Sequence, residues 1–582
     1  MFLTVFALFG ILLPCAFPEH IVTTSYGKLR GLTDKSNWRN PLYTYKRVPF
    51  AKPPVGNLRF ALPEAPEPWN HTLDATTYSP ACISKAGKPN TSEDCLYINI
   101  FTSQECLTKK CPVIVYLHGG AFNRDSAVMF PDAFIKERYA AEGVVFAIPA
   151  FRLGVFGQLY YGPSSVLSEN LILFDALLAL NFVHNEISNF GGDPKQVTLM
   201  GHSTGASMVN FFGFSKIVDP DMVLFQKMIG LSAQGMLGDY DWMVDGSFML
   251  TRKLNCYHGK RIDRDTANHA EMVNCLRKLD ARAISNMQSE LTPLGFDFSS
   301  VLIGAPFMNF GESIKSLKKS APPRKMVYGT TKIEFRNEEI DKLLAPGQFL
   351  DFNNTFEVNL HYDGLLEDHW KTWHNRDASA VFISAATYTQ ELVKAGGEVY
   401  LFETRQWPLS FHVSDMQYFI GIHRELEHFP DMDILDSFYS KMLVNFTKYD
   451  VPSPEWEKVD PEKMNFLNLQ VSTKTGARPK MENNYHEEDI KIWMEDMAEY
   501  DRQISAEKLS KQDENDEVED YEYFDTPDER KIVQRYGVSY IGPDLPGTSW
   551  VWITVIFMVF AFVFLYQQCK KDPSQEKIKL LP

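Results

Sequence analysis

Continuous apolar runs recur along the chain, and their spacing predicts strands alternating with helices. Pro112 to Leu117 (Pro-Val-Ile-Val-Tyr-Leu), Gly143 to Pro149 and Val197 to Met200 are β-branched or apolar almost throughout. That is the pattern of strands buried on both faces of a parallel sheet. Asn170 to Glu186 reads as a helix between the second and third of them. Runs at Lys325 to Tyr328 and Gly397 to Phe402 extend the sheet, and Ile492 to Glu507 reads as a closing helix. Upstream, Ile21 to Asn99 consists of short extended pieces with many prolines. There, Gly27 to Gly31 and Pro53 to Phe60 are turn-rich, as edge hairpins and a surface belt would be. The alternation specifies an α/β fold with a mostly parallel central sheet flanked by helices.

Both ends depart from this pattern. Residues 1–16 form a short apolar run closing on Pro14-Cys15-Ala16, read as a signal peptide, so that the mature chain starts near Phe17. Trp550 to Tyr566 carries no charge and, at 1.5 Å per residue, would make a helix ~26 Å long. A single transmembrane helix is therefore expected over 549–567. Lys570 and Lys571 follow it and place a tail, 568–582, in the cytosol. Between body and membrane, 508–548 reads as an acidic, disordered stalk; Asp513 to Glu529 alone holds ten carboxylates. The body is then residues 17–507, lumenal or extracellular, in a single-pass type I membrane protein.

Composition narrows the class without naming it. The 582 residues are 45% apolar and 23% charged, enough for one large core with appendages. A net charge of −16 argues against nucleic acid as a partner. With Cys15 in the signal peptide and Cys569 facing the cytosol, where it is a palmitoylation candidate, six cysteines remain for the body. Fifteen connectivities are open to them. Four Asn-x-Ser/Thr sequons, at Asn70, Asn90, Asn353 and Asn445, all lie in the body.

Candidate chemistry centres on Gly201-His-Ser-Thr-Gly205, which follows the apolar strand and opens a run of small residues. This Gly-x-Ser-x-Gly pattern puts Ser203 on a strand-to-helix turn as a nucleophile. Five residues alone are a weak signal, so the surroundings must decide. His118-Gly119-Gly120-Ala121 follows the strand ending at Leu117 and matches the glycine-rich oxyanion motif of esterases. The backbone N–H groups of Gly120, Ala121 and Thr204 are the expected donors to the oxyanion. The remaining needs are a base and a carboxylate, in the chain order Ser, acid, His.

Four longer stretches carry a resemblance: Pro53-Pro-Val-Gly-Asn-Leu-Arg-Phe60, Ser92-Glu-Asp-Cys-Leu-Tyr-Ile-Asn99, Phe151-Arg-Leu-Gly-Val-Phe-Gly157, and Asn189 to Thr198 leading into the elbow. From about Pro49 to about Trp493 the chain resembles the type-B carboxylesterase and cholinesterase family of α/β hydrolases. The resemblance implies an α/β-hydrolase fold and a Ser-Glu-His triad without metal or cofactor. Gly329-Thr-Thr-Lys-Ile-Glu-Phe335 matches the acid motif and makes Glu334 the triad acid, with Ile333 and Phe335 in place of the family's Asp and Gly. Glu338 and Glu339 are its competitors. His412-Val-Ser-Asp-Met-Gln-Tyr-Phe-Ile-Gly421 matches the base motif with Val413 in place of glycine, whereas His423 and His428 come too late. Nearest-neighbour pairing joins Cys82 to Cys95, Cys256 to Cys275 and Cys106 to Cys111; the first two sit where the family has disulfides, and the third looks like an addition.

The activity implied is that of a serine carboxylic-ester hydrolase acting on a small-molecule ester through an acyl-enzyme. Two departures point away from choline esters. His202 stands where most of the family has glutamate, and the Cys82–Cys95 loop holds no tryptophan for cation–π recognition. One alternative is acyl transfer on the same site to ascaroside- or glucoside-type metabolites; another is a catalytically silent, neuroligin-like adhesion protein. Glu576, Leu580 and Leu581 fit an acidic dileucine sorting signal, which implies a sorting adaptor and an endolysosomal or lysosome-related membrane, with the cell surface as the other destination. A homodimer is also compatible with the family.

Overall fold

The computed structural model describes residues 19–512, apart from 85–89, 164, 236, 260–263, 265–266, 297, 310–311, 320, 337–345, 408–409 and 425–429. The expected signal peptide, most of the acidic stalk, the transmembrane helix and the tail with Cys569, Glu576, Leu580 and Leu581 lie outside the described residues.

One 13-stranded sheet organises the described chain. Its strands are β1 (Glu19–Thr23), β2 (Lys28–Asp34), β3 (Leu42–Pro49), β4 (Thr72–Asp74), β5 (Tyr97–Ser103), β6 (Cys111–Leu117), β7 (Val145–Pro149), β8 (Gly192–His202), β9 (Lys227–Leu231), β10 (Lys325–Thr331), β11 (Glu398–Thr404), β12 (Phe466–Leu469) and β13 (Lys480–Glu482). They run in the order β1-β2-β3-β5-β7-β6-β8-β9-β10-β11-β12-β13, with β4 beside β2. From β7 to β12 every neighbouring pair is parallel. Antiparallel pairs finish both edges. The hairpin expected at Gly27 to Gly31 is the β1–β2 turn.

Burial explains why the parallel strands read as unbroken apolar runs. Val113, Ile114, Val115 and Leu117 on β6 and Val197, Leu199 and Met200 on β8 are fully buried, as strands covered on both faces must be. Helix α1 (Leu171–Glu186), α2 (Thr204–Phe214) and α3 (Arg376–Lys394) cover the sheet and bury most of their side chains. Among the described residues one helical segment, Leu171–Phe190, is long and apolar enough to cross a membrane; its apolar window is mostly buried in the protein, as in a core helix.

Some boundaries move, for local reasons. β7 begins at Val145, because Gly143 takes a left-handed φ of +75° in the preceding turn. β9 carries Lys227 and Gly230 within five residues, which hides it from an apolar-run reading; the buried Lys227 ammonium pairs with Asp450 at 2.6 Å. The closing helix starts earlier and ends later than Ile492 to Glu507. It comprises Glu487–Lys491, a wide turn at Ile492–Asp496 and Met497–Gln512. Its last turns are docked past Glu507 by Lys508, which pairs with Glu357 at 2.6 Å.

Three disulfides join Cys82 to Cys95, Cys106 to Cys111 and Cys256 to Cys275, with Cα separations of 5.0, 5.0 and 5.5 Å. Asn70, Asn90 and Asn353 are exposed, whereas Asn445 is half-buried and its side-chain N–H donates to the carbonyl of Pro452 at 3.2 Å.

The segment Phe151 to Gly157 is anchored by a buried ion pair. The Arg152 guanidinium donates to both oxygens of Asp175 on α1, at 2.8 and 2.7 Å, and to the carbonyl of Ala61 at 2.7 Å. The two side chains are 4% and 0% exposed. Removing one partner leaves the other charge stranded, so Arg152→Ala is expected to cost about 3–5 kcal/mol in a denaturant titration. The double substitution Arg152→Met with Asp175→Leu should recover much of that loss. A single-variant loss below about 1 kcal/mol would show that the pair is dispensable.

Candidate active site

Strand β8 delivers Ser203 at its tip. The serine takes φ 55°, ψ −125°, a conformation that side-chain-bearing residues rarely hold, and α2 begins at the next residue. Its N–H donates to the carbonyl of Leu231 on β9 at 2.8 Å. Two glycines make the turn sterically feasible. A Cβ on Gly201 would lie 2.3 Å from the backbone of Gly205, and one on Gly205 would lie 2.1 Å from the carbonyl oxygen of Leu117 on β6.

Beyond the end of β10, the chain turns through Ile333, whose N–H meets the carbonyl of Ser410 at 2.9 Å, into Glu334 at φ 53°. Glu334 then pairs with Phe411 across a parallel bridge, and the N–H of His412 donates to the Glu334 carbonyl at 2.7 Å. Glu334 and His412 are thus registered through their backbones as well as through their side chains. Glu334 Oε2 lies 2.6 Å from His412 Nδ1, and His412 Nε2 lies 3.0 Å from Ser203 Oγ. Val413, in place of the family's glycine, is forced to φ 72°, a strained value for a β-branched residue.

The structure brings Ser203, Glu334 and His412 into one hydrogen-bonded line. His423 is apart from that line and borders the cavity beside it. Glu338, Glu339 and His428 lie outside the described residues. The His-Gly-Gly-Ala segment passes directly over the elbow: a Cβ on Gly119 would sit 3.0 Å from that of Ser203. Among the described residues no hydrogen bond engages the N–H of Gly120 or Ala121, and Thr204 opens the first turn of α2, where N–H groups have no helical partner. Gly120 and Ala121 line the same cavity as Ser203, and Thr204 is its chain neighbour. Thr204 also ties the two segments together, its hydroxyl accepting from the N–H of Phe122 at 3.4 Å.

Several contributors had no sequence signal of their own. Ser232, just past the strand β9 that the apolar pattern missed, donates its hydroxyl to Glu334 Oε1 at 2.6 Å, and the N–H of Thr331 reaches the same oxygen at 2.7 Å. Two rings flank the imidazole of His412: Phe335 at 4.5 Å and His202 at 5.1 Å between centroids. Burial, reinforced by repulsion from His412, holds His202 well below the ordinary histidine pKa, so it is neutral. Its Nε2 is buried without a partner among the described residues. His118 is likewise lowered by burial, its ring stacked on Phe151.

A cavity of about 610 Å³ opens onto Ser203 and His412. Tyr116, Met129, Phe130 and Ile422 supply an apolar wall, and Arg124 and Asp125 supply charge of both signs. That is room for a small organic substrate.

Known proteins similar to this chain include esterases. The carboxylesterase family profile matches residues 18–382, which include Ser203 and Glu334. The chain is 40% identical over 201 residues to a para-nitrobenzyl esterase of Bacillus subtilis, covering 33% of this chain and 40% of that protein. It is 35% identical over 262 residues to gut esterase 1 of Caenorhabditis elegans, covering 43% and 44%. With gut esterase 1 of Caenorhabditis briggsae the match is longer and weaker: 27% over 518 residues, covering 78% and 89%. In the first two cases the matched stretch spans less than half of the relative's length.

Beneath the base loop, Asp415 is buried and accepts the Thr404 hydroxyl at 2.9 Å. Burial raises its carboxyl pKa to about 7; the nearby charge of Glu334 adds to the rise and the Thr404 bond opposes it. The folded state therefore holds this proton longer than the unfolded state, and the associated stability is lost as pH rises from about 4 to about 7. Asp415→Asn is expected to gain on the wild type across that window and to hold a constant difference above it, measured by melting temperature against pH. A difference that does not change with pH would contradict the assignment.

Proposed function

We propose that this chain, which belongs to the carboxylesterase family, hydrolyses carboxylic esters with Ser203 as nucleophile, His412 as general base and Glu334 as the acid that orients it. The observation that carries the reading is the unbroken line from Ser203 Oγ through both nitrogens of His412 to a fully buried carboxylate. A serine hydroxyl is a poor nucleophile until a base takes its proton, and an imidazole needs one nitrogen unprotonated and facing the hydroxyl to do so. Glu334 accepts from Nδ1–H, which selects that tautomer and stabilises the imidazolium as it forms.

As His412 Nε2 takes the proton of Ser203, Oγ attacks the ester carbonyl, whose oxygen gains the negative charge. The N–H groups of Gly120, Ala121 and Thr204 receive that charge. His412 then gives the proton to the departing alkoxide, the C–O bond breaks, and the acyl group remains on Ser203. Water, deprotonated by the same imidazole, attacks the acyl-enzyme; the free acid leaves and Ser203 recovers its proton.

The cavity supports neutral esters over choline esters. His202 beside the nucleophile is uncharged, where a carboxylate would attract a cation. The Cys82–Cys95 loop carries no tryptophan. Purified protein is expected to react with a fluorophosphonate probe at Ser203 and to turn over a neutral nitrophenyl ester in preference to a thiocholine ester. Ser203→Ala should abolish labelling and lower kcat by about 10⁴-fold or more. A folded wild type that the probe does not label would sink the hydrolase reading in favour of adhesion; acylated alcohols among the products would move it to acyl transfer.

A further inference from the structure

A second set of chemistry-bearing side chains, none of them lining the cavity, meets where the C-terminal segment returns to the sheet. His374 just before α3, His486, and Asp489 in the helix Glu487–Lys491 each contribute one donor atom, all within 4.8 Å of one another. Asp489 bridges the two imidazoles, Oδ1 lying 3.0 Å from His374 Nδ1 and Oδ2 lying 3.1 Å from His486 Nδ1. On its other side, His486 Nε2 contacts Glu403 of β11 at 2.5 Å, and Arg405 pairs with that carboxylate. The ring of His486 also stacks on Phe382 of α3. Glu403, His486 and Asp489 are buried or nearly so, while the His374 side chain is 24% exposed.

We propose that His374 Nδ1, His486 Nδ1 and the Asp489 carboxylate form a binding site for a divalent transition-metal ion of the zinc type, distinct from the Ser203, His412 and Glu334 side chains. Two imidazole nitrogens and one carboxylate are a zinc-type donor set; magnesium and calcium take oxygen. In a tetrahedral zinc site with bonds of about 2.0–2.1 Å, neighbouring donors stand roughly 3.3 Å apart. The contacts of 3.0 and 3.1 Å around Asp489 need open by only a few tenths of an ångström, while the set as a whole, spread over 4.8 Å, draws in around the ion. Glu403 supplies what a metal-bound histidine characteristically has, a carboxylate on its second nitrogen that fixes ring and tautomer.

Binding replaces protons by the ion. Each Nδ1 gives up the proton it shares with Asp489: His486 releases its proton to solvent and keeps Nε2–H on Glu403, His374 carries its one remaining proton on Nε2, and both Nδ1 lone pairs turn to the metal. The fourth position falls on the more open His374 side, where water completes the shell. The ion would tie the C-terminal segment to α3 and, through Glu403, to β11. Without metal, the same groups satisfy one another as an ion-pair network, and the experiment must separate these two states.

Full-length protein purified without chelator is expected to hold about one zinc ion per chain by elemental mass spectrometry. After stripping, Zn²⁺ should raise the melting temperature by a few degrees and Mg²⁺ should not. His374→Asn leaves the Glu403–His486–Asp489 contacts in place and should lose both retention and shift. Should that variant fold poorly, Co²⁺ added to the stripped wild type gives a second readout: the visible absorption of a tetrahedral site, displaced by Zn²⁺. No zinc-dependent shift in the wild type, a shift that a folded His374→Asn keeps, or no visible absorption with Co²⁺ would leave an ion-pair network only and overturn the proposal.

Discussion

The site depends on a single buried carboxylate that receives three hydrogen bonds at once. Glu334 Oε1 takes the Ser232 hydroxyl and the Thr331 N–H, and Oε2 takes the imidazole of His412. A carboxylate shielded from water must find such partners or be expelled. Here each comes from a different place: the end of β9, the end of β10 and the loop after β11. Satisfying Glu334 therefore sets the relative positions of three chain segments. The backbone repeats the constraint, since the N–H of His412 is bound to the Glu334 carbonyl. With β8 lying beside β9, Ser203 is held in reach of the imidazole.

This arrangement stores strain. Ser203, Glu334, Val413 and Ala121 all have positive φ, and none is a glycine. Such conformations each cost on the order of 1–3 kcal/mol and persist only where the surroundings over-determine them. The parallel strands supply that rigidity, because their side chains are buried on both faces. Two buried histidines near Ser203, His118 and His202, are kept neutral by burial, so neither competes with His412 as a charged group.

Much of this was legible in the sequence because it depends on unbroken local patterns. The apolar runs of β6, β7, β8, β10 and β11 stand out since strands covered on both faces admit few polar residues. Ser203 was reached from a motif whose glycines are sterically obligatory, and Glu334 and His412 from the resemblance. What was hidden has a physical reason in each case. β9 buries a lysine whose charge is met by Asp450, 223 residues away in sequence. Ser232 borrows its importance from that unseen strand. The cluster of His374, Glu403, His486 and Asp489 is assembled from three separated segments, so no spacing rule announces it. Phe335 looked like a departure from a motif and is instead a ring packed beside the imidazole of His412.

The proposed hydrolysis turns on acyl transfer to Ser203 under the control of His412 and Glu334. Acid-quenched turnover of a nitrophenyl ester, followed by peptide mass spectrometry, measures that transfer directly. The expected result is the acyl mass on the peptide containing Ser203 in the wild type, and a large loss of that adduct in His412→Ala. An acyl group on another residue, or an undiminished Ser203 adduct without His412, would contradict it.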